Sequence, residues 1–136
     1  MATDLNELSE RIEECYEFTL SFAARGISGE VGSDTTRQVK EQLQRSLDAM
    51  HALKSCCTDL LQNQALEPRV KYENFFAAME HDAAGASAAM ELVMELPAIG
   101  SQVIDNLNAS IHLRALLADL FLLTEILENQ RVRTAQ

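Results

Sequence analysis

The side chains of this chain best suited to chemistry are three histidines (His51, His81, His112), three cysteines (Cys15, Cys56, Cys57) and 21 acids. Histidines and acids together invite a test for a carboxylate-bridged di-iron centre. Such a centre needs a Glu-x-x-His on each of two helices and a further glutamate from each of the other two. The spacing is wrong: Ala78 stands three before His81, and Ala109 three before His112. Asp48 and His51 have the i, i+3 spacing, but one such pair does not make a site. Glu80, His81 and Asp82 are consecutive, and consecutive residues of a helix point in different directions. A Cys–His nucleophile needs a cysteine in a cleft beside a histidine. Cys15 and Cys57 fall on apolar stripes, where inert burial is expected. Cys56 lies beside its stripe, where partial exposure is expected. No glycine-rich phosphate loop is present. The expectation is therefore no catalytic residue, no metal and no cofactor, with His112 a boundary histidine.

One segment stands apart, His51-Ala52-Leu53-Lys54-Ser55. It resembles the core of histidine-containing phosphotransfer domains, helical bundles with an exposed phosphorylatable histidine on a His-x-Leu-Lys-Gly/Ser motif. The resemblance implies that His51 accepts a phosphoryl group, that Lys54 one turn on steadies it, and that Ser55 is the small neighbour. It spans these five residues, after which the chain continues Cys56-Cys57-Thr58-Asp59-Leu60-Leu61. At ~100° per residue, His51 lies roughly 110° from the centre of its helix's apolar stripe, which predicts partial exposure.

The formal charge is −10, from 21 acids against 11 lysines and arginines. So acidic a chain repels phosphate backbones and anionic lipid, which argues against nucleic-acid or membrane-surface binding and suits a basic protein partner. The acid is uneven. Between Tyr72 and Leu113 there is no lysine or arginine, while Glu73, Glu80, Asp82, Glu91, Glu95 and Asp105 are all present. Met79, Met90 and Met94 have two readings, an adaptable client-binding surface or plain core at helical spacing. The candidate partner-binding set is Met79, Met90, Met94, Glu80, Asp82, Glu91 and Glu95. No basic region followed by an apolar run marks a signal peptide at the N-terminus. The longest apolar stretch, 115–127, contains Asp119 and Glu125 and is too short to span a bilayer. Three cysteines form no disulfide framework or zinc spacing and suggest a reducing cytoplasm. Asn108-Ala109-Ser110 matches a glycosylation sequon.

Helical periodicity must position all of this, because breakers are nearly absent: two prolines and five glycines in 136 residues. A first helix is expected over 4–25, with Asp4 and Glu7 spaced as a capping box. Leu5, Leu8, Ile12, Cys15, Thr19 and Phe22 form its buried stripe. Residues 27–33, with Gly29 and Gly32, read as a flexible loop. A second helix is expected over 34–63, on the stripe Val39, Leu43, Leu47, Met50, Leu53 and Cys57. A third, 68–96, opens at Pro68 and is crowded with alanine; Gly85 inside it marks a close crossing or a slight bend. A fourth, 98–131, carries turn-favouring residues over 106–110, where it can split. Its 115–127 segment is more apolar than one buried stripe requires, which suggests a homodimer through this helix. The expected fold is all-α, a single four-helix (with the split, five-helix) antiparallel up-and-down bundle over 1–136. The expected function is non-enzymatic protein–protein interaction as an adaptor, regulator or secretion-type chaperone; the alternative is a phosphorelay protein using His51.

Overall fold

The computed structural model describes residues 4–135, with side chains described to residue 130. Five helices follow in order: α1 (Leu5–Ala24), α2 (Asp34–Asn63), α3 (Arg69–Met94), α4 (Ser101–Asn108) and α5 (Ile111–Ala135). No strand occurs among the described residues. The chain is an all-helical bundle, and the expected fourth helix is indeed broken, at Ala109 and Ser110. Asn108 Nδ2 and Oδ1 are buried at that break without a hydrogen-bond partner, and the residue is 6% exposed, so the sequon asparagine offers no accessible amide.

The helix starts follow their caps. Asp4 accepts from the Asn6 amide at 3.2 Å, and Ser33 accepts from the Thr36 amide at 3.1 Å. Each such cap contributes about 1 kcal/mol by satisfying an amide with no partner inside the helix. Glu7 does not close the expected capping box. It reaches forward to Arg11 at 2.6 Å, a charged partner one turn on.

The α1 stripe is buried as its period requires, from Leu5 through Ile12 to Phe22. On α2 the stripe from Val39 to Cys57 is buried against it. Tyr72, Phe76, Met79, Ala86 and Met90 close the core from α3, and Leu113, Leu116, Leu120 and Leu123 from α5. Each fully buried Leu or Ile contributes about 2 kcal/mol of transfer free energy. α1 packs on α2, α2 on α3, and α3 on α5, while α4 and α5 together make the wall opposite α2. Helices α2 and α3 run antiparallel: Arg69 Nη1 at the start of α3 donates to the Leu61 carbonyl near the end of α2, and Ser87 lies against Met50 further along.

Residues 27–33, expected to be flexible, are instead tied down. The Ile27 amide donates to Ser101 Oγ at 2.8 Å, and the Ser101 amide donates to the Ile27 carbonyl at 2.7 Å. Thr36 Oγ1 accepts from the Ile99 amide at 3.2 Å. Gly29, at φ +80°, lies so near the 99–100 backbone that a Cβ would stand 2.8 Å from the Gly100 nitrogen. Here glycine is needed for backbone contact as well as for its positive φ.

Candidate functional site

Helix α3 lies between α2 and α5, and the residues singled out from the sequence collect along its two seams. Three consecutive side chains diverge as helix geometry requires. Glu80 turns to Lys54 of α2, with Nζ to Oε1 at 3.6 Å. His81 meets His112 of α5 edge-on, with ring centroids 6.5 Å apart and planes at 80°. Asp82 faces Asp119 of α5.

The α2–α3 seam is exposed and pairs opposite charges. His51 is 58% exposed, and its Nε2 stands 3.4 Å from Glu91 Oε1. Lys54 reaches Glu80 one turn away. Arg69 reaches Glu73 at 2.8 Å further down the same groove. An open groove of about 380 Å³ runs beneath, with Leu53, Cys57 and Phe76 as its apolar floor and Lys54, Arg69 and Glu80 on its rim. Ion pairs as exposed as these each stabilise by well under 1 kcal/mol.

The α3–α5 seam is different. Asp119 stands in the most apolar stretch of the chain, and its Oδ2 is shut from solvent with no donor. Burial first, and the facing Asp82 second, push its carboxyl up to about 7. One turn along, Gly85 lets the His112 ring lie directly on α3: a Cβ there would stand 2.5 Å from His112 Cγ. Gly85 therefore marks a close crossing.

Of the two readings of the α3 methionines, Met79 and Met90 take the core one, at 1% and 2% exposed. Both occupy the inward stripe of α3, so neither presents its sulfur to a partner; Met94 is half-buried. Asp82 is half-buried and turned to α5, leaving Glu80, Glu91 and Glu95 as the exposed acids of the candidate set. Cys56, expected to be partly exposed, is buried at 6% because α2 is covered on that side as well. Its thiol is pushed up by burial and by the Asp4 and Asp59 carboxylates. Burial likewise pushes Cys15 up to about 11 and Cys57 up to about 12, so all three are thiols rather than nucleophilic thiolates at neutral pH. Among the described residues, no three His, Cys, Asp or Glu side chains are placed to hold a metal ion, and no helix is long and apolar enough to cross a membrane.

The sequence reading missed the Asp82–Asp119 pairing. Its signal was an acid in the middle of an apolar run, Asp119 within 115–120, seven residues after His112 and so on the same helix face. Compared with known protein families, with curated proteins and with solved structures, the chain matches none.

Proposed function

We propose that this chain acts by binding another protein rather than by catalysis, with the outer face of α3 as its contact surface. One observation carries the reading. That face exposes Glu73, Glu80, Glu91 and Glu95 around the small side chains of Ala77, Ala84 and Ala88, and ends on Leu92, 74% exposed. Small side chains let a partner helix approach closely. A helix face with no lysine or arginine beyond Lys71 favours a basic partner and speeds its encounter. An adaptor, a regulator and a secretion-type chaperone all fit that description. Phe121 and Leu122 of α5, about half exposed, suit self-association through that helix as a homodimer. Three free, buried cysteines suit a reducing compartment such as the cytoplasm.

The test is affinity capture from native cells with the wild type and with Glu73, Glu91 and Glu95 all changed to Lys. A basic protein captured by the wild type and lost from the folded variant supports the surface. A partner retained undiminished by the variant rejects it.

A second reading rests on His51: an exposed histidine with a lysine one turn on, in an antiparallel bundle. Its Nε2 faces Glu91, so a phosphoryl group there meets a carboxylate, and Glu91→Gln should raise acceptance. The test is incubation with phosphorylated response regulators. Acid-labile phosphate on His51 supports phosphotransfer, and its absence with several donors rejects it.

A further inference from the structure

Asp119 poses a question that neither reading answers, because it is an acid set where burial penalises its charge. No cation on the elements around it pairs with it. α3 contributes Asp82 and His81, while Glu80 is turned away to Lys54. α5 contributes His112, turned to His81, and Arg114, which is exposed. From α1, the other long helix on α5, the half-buried charges are Glu13, itself an acid, and Arg11, which is held by Glu7 at 2.6 Å. α4 brings Asp105, which is exposed, and α2 does not pack on α5. No ion pair among the described residues involves Asp82 or Asp119. Asp119 Oδ2 is closed to water and has no donor. Two carboxylates are acceptors only, so a hydrogen bond between them requires a proton on one.

We infer that Asp82 and Asp119 share one proton, and that this proton latches α5 to α3, the seam tightening when it is held and loosening when it is lost. In the latched form, one carboxyl O–H donates to the other carboxylate. When a base in solvent removes that proton, two negative charges face each other across a partly dry seam and repel. Burial and the facing acid put the change at about 7, which makes the latch responsive around neutrality.

The sign follows from linkage. Asp119 is raised in the folded chain from the ordinary 3.8 to about 7. Its stabilising contribution is therefore complete below 3.8 and is lost as pH rises through about 7. The His81–His112 ring contact lies on the same seam, and His81→Gln alters it without touching either carboxyl.

The experiment combines infrared spectroscopy with amide hydrogen exchange on the intact chain. The wild type should show the C=O stretch of a protonated carboxyl that disappears near neutrality, and both Asp119→Asn and Asp82→Asn should lack it. Corrected for intrinsic chemistry, α5 amide protection should fall about tenfold between roughly pH 6 and 8, one unit of coupling between proton and seam. The fall should vanish in Asp119→Asn and persist in His81→Gln. If Asp119→Asn does not fold, Asp82→Asn removes the same proton from the other helix, and the wild-type spectrum stands by itself. A carboxyl stretch that titrates only in the ordinary aspartate range overturns the latch, as does an α5 protection loss unchanged in the folded asparagine variant.

Discussion

The two seams of α3 hold charge in opposite ways. Toward α2, acid meets base: Glu91 with His51 and Glu80 with Lys54, all four in water. Toward α5, like meets like: Asp82 with Asp119 and His81 with His112. Opposite charges in water are cheap to place and contribute little, because solvent screens them and long side chains lose entropy on pairing. Two carboxyls partly out of water are costly unless a proton is shared. The quieter seam therefore holds the greater leverage over the fold.

The strongest way to break this contrast is steric. Gly85→Val puts a branched side chain where a single Cβ already meets His112 Cγ, an atom held close to the α5 backbone. Overpacking outweighs the roughly 1 kcal/mol that losing a helical glycine can return, and a net loss of about 3 kcal/mol is expected. Urea unfolding at neutral pH measures it, and His112→Ala in the same chain should restore much of the loss. A Gly85→Val chain as stable as the wild type would show that α5 does not rest on α3 there.

Electrostatic changes come next. The displacement of Asp119 to about 7, discounted for the solvent that still screens the pair, corresponds to about 1–2 kcal/mol. Asp119→Asn should therefore raise the melting temperature by several degrees at about pH 8 and by almost nothing at about pH 5, read from thermal scans across that range. Equal gains at both ends would remove the carboxyl pair as their cause. The smallest effect belongs to the other seam. Lys54→Ala and Glu91→Gln should each change stability by less than about 0.5 kcal/mol, and added salt should change it little more. A loss above 1 kcal/mol from either would place real binding energy in the exposed pairs and reverse the contrast.

Much of the scaffold was legible before any coordinates, because a period of 3.6 leaves little choice. The stripe from Leu5 to Phe22 is buried residue for residue, and the turn formers after Asp105 do break the last helix. The exposure of His51 followed from its angle to that stripe. The methionines of α3 were less legible: Met79 and Met90 sit at core spacing, and a methionine stripe reads alike whether it faces a core or a client. Helix pairing was illegible. Nothing local says that Asp82 finds Asp119, since 37 positions separate them and partner choice is settled by how whole helices pack. The loop 27–33 misled for the same reason. Its glycines signalled freedom locally, while Ser101, far along the chain, holds its first residue.

That distant tie has a consequence for the order in which the bundle assembles and comes apart. Ile27 and Ser101 are 74 positions apart. Closing so long a loop carries an entropic cost that is recovered only after the helices between have packed. The Gly29–Gly100 crossing is then a late event on the way in and an early one on the way out. Gly29→Ala, strained both in φ and by the 2.8 Å approach to Gly100, should accelerate unfolding by about tenfold or more while refolding barely changes. Stopped-flow chevrons would show the two arms responding unequally. The lifetime of the folded bundle, as distinct from its equilibrium stability, is thus set at the end where two stretches of bare backbone touch.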